Sequence, residues 1–458
     1  MTGLPLIIAF VLAVVVMIVA ISKFKVHPFL AIMGVSVLLA LVAGIPLVKT
    51  GDVNGIADVI GAGFSGTFSS IGIVIILGAL IGSILEQTGA ALKLADMVVK
   101  LVGKKNPELA VELMGWVVSI PVFCDSGFVI LDPIRKALVK RTGTSSVAMT
   151  VALSAGLYVS HVFIPPTPGP IAAASTLGIG DNLLLVMGLG ALCSIFPLAA
   201  GLIFAKFIGK KVKSADELAQ SDAVVKTYEE LVAEYGKLPS GFNALAPIIV
   251  PVILMAMGTI GKQIGITGGL LNLFSFLGTP IIALAVGTIF AIAQLATAKK
   301  MGEFYAITND TLKTVGPILF VTAAGGVLGK VISSTSMVSY ITENASFLMN
   351  LGIFFPFLLA AILKTAQGSS TVAITTTAGI MAPLMASLGL GTPVMGALTV
   401  MAIGAGAMTV SHANDSYFWV VTNFGEMTPD QGYKTQTVLT LVMGIASIIG
   451  IFIVSLFF

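Results

Sequence analysis

The chain has 458 residues, of which 57% are hydrophobic and only 10% charged, with a formal net charge of +3. Because a soluble domain usually carries about 25% charged residues, this composition excludes an ordinary soluble protein and indicates an integral membrane protein. The few histidines and cysteines form no metal-ligand spacing, and the basic residues form no nucleic-acid-reading motif. We therefore expect a lipid bilayer and a solute as partners, with no cofactor and no nucleic acid.

Long apolar segments recur along the chain, and each approaches the roughly 20 residues that cross a bilayer as a helix. In the first half they cover residues 4–22, 28–48, 59–85 and 182–205. No basic residue precedes the first segment and Lys23 and Lys25 follow it, so we interpret it as a retained helix rather than a cleaved signal. Basic clusters, placed on the cytoplasmic side, set the direction of every span.

Two interrupted segments follow the first three spans. Residues 109–134 lie between basic clusters that both favour the cytoplasm, and their two half-helices are too short to span alone. They predict a re-entrant hairpin with Asp125 at its tip. Residues 142–180 are uncharged but carry four prolines within 164–170, which cannot continue a helix. This pattern predicts a broken span, and residues 214–239 predict a cytoplasmic linker.

The second half, residues 240–458, repeats this order. It predicts three spans, among them residues 263–298, then a hairpin over 346–388, a span broken within 393–424 and a final span over 435–458. The first half, residues 1–213, begins outside, whereas the second begins inside. We therefore predict an all-α polytopic membrane protein, an inverted-repeat secondary transporter with two re-entrant helical hairpins and two broken helices.

Polar residues at the hairpin tips and helix breaks are the candidate site residues, because irregular backbone at membrane depth must be buried or line a cavity. In the first half they are Asp125, Ser126, Gly127, His161 and Thr167. In the second half they are Lys364, Gln367, Gly368, Ser369, Ser370, Thr371, His412, Asn414 and Asp415. The structural alternatives are a helix cap, a packed histidine, hydroxyl-mediated helix packing (as for residues 375–377) and a surface turn.

Half-helix N-termini favour an anion, so we expect a substrate carboxylate against the hairpin tips. The groups expected to hold it are Ser126, Gly127, Ser369 and Ser370, with Lys364 as counter-ion. Gly368 would let the backbone approach the substrate closely, and Thr371 would add a hydroxyl to the lining. The groups expected to bind its hydroxyls are Thr167, Gln367 and Asn414. Asp125 or Asp415 would carry a coupling proton, with His161 and His412 as further titratable groups, and the sequence does not choose between the two aspartates.

Four motifs together carry a resemblance to a known family: P-V-F-C-D-S-G-F, H-V-F-I-P-P-T-P-G-P, A-Q-G-S-S-T-V-A and S-H-A-N-D-S-Y-F-W. Over essentially the whole chain they resemble the gluconate permease family of bacterial proton symporters. The resemblance implies a multi-pass inner-membrane importer of gluconate or a related small hydroxy-monocarboxylate. It also implies proton coupling, an elevator-like transport domain carrying both hairpins, and a homodimer as one arrangement.

The resemblance leaves the substrate open, because the family often has Arg at the position of Lys364 and G-S-A-T-V-A where this chain has G-S-S-T-V-A. Sugar acids, shorter hydroxy acids and D-serine all remain candidates. Sodium coupling is an alternative, since Asn-Asp-Ser oxygens also suit a hard cation.

Two other function classes are disfavoured. The adjacent pairs Ser160/His161 and Ser411/His412 point about 100° apart on a helix, so neither forms a nucleophile–base pair, and we expect no enzyme activity. A passive channel could not accumulate solute. The remaining intramembrane acids, Glu86, Glu112 and Asp132, are interpreted as helix-end charges.

Overall fold

The computed structural model describes residues 2–102, 106–218, 238–263, 266–337, 339–340, 351–412 and 415–458. Within these ranges the chain forms helices joined by short connections, and no β-sheet occurs. Seven of the described helical stretches are long and apolar enough to cross a membrane by length and composition. The prediction of an all-α polytopic membrane protein is confirmed.

The first half contains nine helices of eight residues or more among the residues described. They are α1 (Leu4–Ser22), α2 (Pro28–Ala43), α3 (Ile56–Gln87), α4 (Ala90–Val102), α5 (Pro107–Val118), α6 (Cys124–Thr142), α7 (Ser146–Phe163), α8 (Pro168–Thr176) and α9 (Leu183–Ile208). Prolines begin α2, α5 and α8, where the missing N–H would have had no acceptor in any case.

The second half supplies nine more described helices of this length. They are α10 (Gly241–Gln263), α11 (Gly268–Gly278), α12 (Pro280–Thr297), α13 (Phe304–Ser333), α14 (Phe354–Gln367), α15 (Ser370–Met381), α16 (Pro393–Met408), α17 (Ser416–Phe424) and α18 (Val438–Ser455). The predicted single span over 263–298 is two helices, because Pro280 holds Thr279 in an extended conformation (φ −63°, ψ 129°) between them.

Both predicted helix breaks are present. Helix α7 ends at Phe163 before α8 begins at Pro168, and α16 ends at Met408 before α17 begins at Ser416. The predicted hairpins correspond to the pairs α5/α6 and α14/α15, the latter joined at Gly368, whose φ of 90° suits glycine. Inverted symmetry between the halves stays a prediction.

Two sets of contacts hold the break regions in place. The two longest helices, α3 and α13, pack along each other through small residues, and a Cβ at Gly63 would lie 2.7 Å from the Val327 Cα. Helix α7 is buried along its whole length and packs against α5, α9 and α16. The N-terminal turns of α6, α15 and α17 therefore meet between α7 and α13.

Candidate functional site

A cavity of about 350 Å³ lies where these helices converge. The N-terminal turns of α2, α6, α15 and α17 all line it, and His161 of α7 and one face of α13 complete the wall. The first N–H groups of a helix have no acceptor within the helix, and the helix dipole is positive at this end. Four such ends around one space form a site suited to an anion.

Side chains cap three of these four helices. The Ser369 hydroxyl accepts from the Val372 N–H at 3.3 Å at the start of α15, and the Asp415 carboxylate accepts from the Tyr417 N–H at 3.1 Å at the start of α17. The imidazole of His27 caps α2. At α6 the capping position is occupied by Phe123, and no side chain caps the helix. The capping position therefore supplies no side-chain acceptor for the N–H groups of its first turn.

A buried ion pair joins the second hairpin to the second break. The Lys364 Nζ lies 2.6 Å from the Asp415 Oδ2, and the two side chains are 0% and 6% exposed. The Lys364 ammonium also donates to the Gly368 carbonyl, and the Ser411 hydroxyl donates to the Asp415 Oδ2 at 2.5 Å. Asp415 lines the cavity with its charge compensated, whereas Lys364 lies behind it and outside the lining.

Asp125 lines the same cavity but is not compensated in this way. Its Oδ1 lies 3.4 Å from the Ser416 hydroxyl, which donates to it, and its Oδ2 lies 3.9 Å from the Cys124 thiol. No ion pair involves Asp125 in the part of the chain that the structure describes. When ionised, it is the uncompensated negative charge of the cavity wall.

Aromatic rings form the apolar side of the site. The rings of Tyr158 and Tyr417 lie 5.0 Å apart between centroids, and the Tyr417 hydroxyl donates to the Ser154 carbonyl. His161 packs its ring 5.9 Å from that of Phe123. Its Nδ1 is buried and has no hydrogen-bond partner among the described atoms.

The structure brings half of the predicted site residues together around the cavity. These are Asp125, Ser126, His161, Ser369, Ser370, Thr371 and Asp415. Both hairpin tips and the second break therefore contribute, while the first break contributes only His161, which precedes it.

The other predicted residues lie elsewhere. Thr167 is buried at the first break, and its hydroxyl donates to the Ile164 carbonyl at 2.6 Å. The His412 Nε2 lies 3.0 Å from the Thr365 carbonyl, outside the lining. Gly127 packs against α7, where a Cβ would lie 2.7 Å from the Leu157 Cδ2.

Gly368 and Lys364 support the wall from behind, and neither lines the cavity. Asn414 and the Gln367 side chain fall outside the described residues.

Some lining residues were not expected from the sequence. The face of α13 contributes Thr314, Pro317, Ile318 and Val321, at the helical spacing i, i+3, i+4 and i+7. A proline inside a span was the one sequence signal for this face. Thr375, which we assigned to helix packing, also lines the cavity.

Two acids interpreted as helix-end charges lie inside the protein instead. Asp132 is 3% exposed and bonds the buried Arg135, whose Nε lies 2.7 Å from the Asp132 Oδ1. The Arg135 guanidinium also donates to the Ser146 hydroxyl at 2.8 Å. Glu112 is 1% exposed, in the middle of α5.

A second cavity of about 320 Å³ adjoins the first, and both are lined by Phe123, Ser126 and Thr314. Its wall carries the acidic residues Glu86, Glu303 and Asp310. An anion in the first cavity therefore has an adjoining space with an acidic lining.

Residues 4–457 match the family described as GntP family permease. The chain belongs to the GntP permease family. This permease is 35% identical over 432 residues to an uncharacterized permease of Haemophilus influenzae, a match that covers 92% of this chain and 86% of the relative. The low-affinity gluconate transporter of Escherichia coli is 31% identical over 457 residues, with 98% of each chain covered.

Another relative of the permease is the inner membrane permease YgbN of Escherichia coli, 32% identical over 439 residues and 94% of each chain. Among solved structures, the YdaH transporter of Alcanivorax borkumensis superposes with a TM-score of 0.63 over 94% of this chain and 97% of that one. At 16% identity, this likeness shows the fold alone. The permease is a multi-pass inner-membrane protein, as the sequence predicted.

Proposed function

We propose that this permease imports gluconate or a related sugar acid by proton symport, with elevator-type alternating access. The observation that carries the proposal is the convergence of four helix N-termini on one cavity, in which Asp125 is the one carboxylate without an ion pair among the described residues. Relatives described as a gluconate permease and as an L-idonate transporter support the substrate class. The cavity falls within the roughly 300–1,000 Å³ of small-molecule sites.

The substrate carboxylate would lie against the first turns of α15 and α6. There it would meet the hydroxyls of Ser370, Thr371 and Ser126 and the uncapped N–H groups of α6. The substrate hydroxyls would face Thr314 and Thr375. Lys364 would act as a positioning residue, because it neutralises Asp415 and bonds the turn at Gly368 rather than reaching the cavity.

The coupling proton would bind Asp125 rather than Asp415. A substrate anion beside an ionised Asp125 would meet a like charge, and two unit charges about 5 Å apart repel by about 3 kcal/mol at an effective dielectric of 20. A proton on Asp125 removes this repulsion, so proton and anion favour each other's binding. Asp415 has its charge balanced by Lys364 at 2.6 Å and gains less from protonation.

Both hairpin tips contribute to the cavity wall, so both would move with the substrate during access to the two sides. This shared wall is the geometric basis for an elevator-type movement of α5/α6 with α14/α15.

The test is uptake into proteoliposomes under an imposed proton gradient. Asp125→Asn should retain gluconate exchange across the membrane but lose accumulation, because its neutral amide no longer binds and releases a proton. Asp181→Asn, an exposed surface change, is the matched control and should behave as wild type. If Asp125→Asn still concentrates gluconate under the gradient, the assignment of the coupling proton is wrong.

Sodium coupling is the competing candidate for the second break. The ammonium group of Lys364 already occupies one side of the Asp415 carboxylate, so a sodium ion there would face a positive charge. Uptake that persists in sodium-free buffer supports proton coupling, and uptake that stops there supports sodium coupling.

A further inference from the structure

A carboxyl group in the helix packing takes no part in the transport cycle proposed above. Glu112 of α5 is 1% exposed, and neither of its carboxyl oxygens has a hydrogen-bond partner among the described atoms. The indole nitrogen of Trp116, one turn further along α5, is also buried and unpartnered. An isolated ionised carboxylate in such a place costs far more than a neutral carboxyl group, so this packing favours the protonated acid over the carboxylate.

The surrounding helices approach the carboxyl group closely. A Cβ at Gly201 of α9 would lie 3.0 Å from the Glu112 Oε1, and 2.9 Å from the Ala155 Cβ of α7. A Cβ at Gly156 of α7 would lie 1.8 Å from the Glu112 main-chain carbonyl oxygen. Met443 of α18 also borders the position of Gly201, with its Sδ 3.6 Å from such a Cβ. The carboxyl group thus projects into the contact between α5, α7, α9 and α18.

Several charged groups on the neighbouring helices α4 and α6 form ion pairs with other residues rather than with Glu112. These pairs are Asp96 with Lys93 and Lys100 on α4, Asp132 with Arg135 on α6, and Lys136 of α6 with Asp132 and Glu426. On α7, Tyr158 packs on Tyr417 and His161 lines the cavity.

Asp125 of α6 also faces the cavity, and α18 carries no titratable side chain. Glu108 lies one turn earlier on α5 itself. Lys206 of α9 is exposed near the end of that helix, and its positive charge attracts an ionised Glu112.

We propose that Glu112 is a second proton-binding site of this permease, separate from the substrate cavity, whose protonation holds α5 against α7 and α9. A proton added to the carboxylate gives the neutral acid that fits the present packing. Loss of the proton leaves an anion, which must move toward Lys206 and water, and the first hairpin moves with it. The inference rests on the proposed proton symport, since it adds a second proton to the same cycle.

The first experiment is infrared difference spectroscopy of the reconstituted wild-type permease labelled with ¹³C-glutamate. A carboxylic-acid C=O band that shifts with the label, and changes with pH and on addition of gluconate, is expected. The band should be missing from Glu112→Gln, an isosteric variant. A labelled band that stays constant with pH and gluconate, or none at all, would overturn the inference without recourse to any variant.

The second experiment measures uptake against pH and the number of protons carried per gluconate. Glu112→Gln should shift the pH profile and lower the proton count by about one, while the gluconate Kd stays within about twofold of wild type. A wild-type profile and count in this variant would assign Glu112 to packing alone. If the wild-type permease itself shows no proton-driven accumulation, the proposed symport has failed, an outcome distinct from the failure of Glu112.

Discussion

The buried pair between Lys364 and Asp415 allows a sharp test of how the cavity wall is held. Its side chains are 0% and 6% exposed, so water screens their 2.6 Å contact very little. Removing one partner of a buried pair leaves an uncompensated charge and costs about 3–5 kcal/mol. We expect Lys364→Met and Asp415→Asn each to lower the free energy of unfolding by this amount, about a hundred- to several-thousand-fold in the equilibrium constant.

The double variant Lys364→Met/Asp415→Asn carries neither charge, and we expect it to regain at least half of the loss. The assay is reversible denaturant unfolding in micelles, analysed as a double-mutant cycle. The matched control is the pair between Lys313 and Asp310, whose side chains are 76% and 72% exposed at 2.9 Å. Breaking an exposed pair of this kind costs about 0–1 kcal/mol. Additive losses at Lys364 and Asp415 would refute the claim that the two charges compensate each other.

Two further changes probe the packing and the site. Gly156→Ala should destabilise the permease by about 1–3 kcal/mol in thermal unfolding, because the new Cβ would clash with α5. The control Gly188→Ala, whose Cβ would have no atom within 4 Å, should not, and equal effects of the two variants would contradict the close approach of α5 and α7. Ser126→Ala should raise the KM for gluconate about fivefold by removing one hydrogen bond to the substrate. The control Ser65→Ala, at an exposed position of α3, should leave the KM unchanged, and an unaltered KM in Ser126→Ala would place the substrate elsewhere.

The main architecture could be predicted because its determinants are local. Prolines and capping residues mark where helices begin and break, so both interruptions and both hairpin tips were identified from residues 109–134, 142–180, 346–388 and 393–424. The prediction of a single span over residues 263–298 was wrong because it gave too little weight to a local signal. The long apolar run outweighed one Thr-Pro step, although that step ends α11.

The site was predictable only in part, because the roles of its residues depend on contacts between distant segments. Nothing near Lys364 in the sequence shows that its ammonium group forms an ion pair with Asp415, some fifty residues later, rather than binding a ligand. The sequence around Glu112 likewise resembles a helix end, and only the packing of α7 and α9 encloses it. Thr314 of α13 follows the charged residues Asp310 and Lys313, which suggest the end of a span, yet it lines both cavities.

Phe123 at the start of α6 has a consequence for how the unloaded permease differs from the loaded one. A serine or aspartate at this position would accept a hydrogen bond from an N–H of the first turn, and such a cap stabilises a helix by about 1 kcal/mol. The phenylalanine side chain has no hydrogen-bond acceptor, so the cap must come from a bound ligand. Under the proposed function, the gluconate carboxylate acts as the N-cap of α6, so substrate binding stabilises the first turn of this helix and with it the first hairpin.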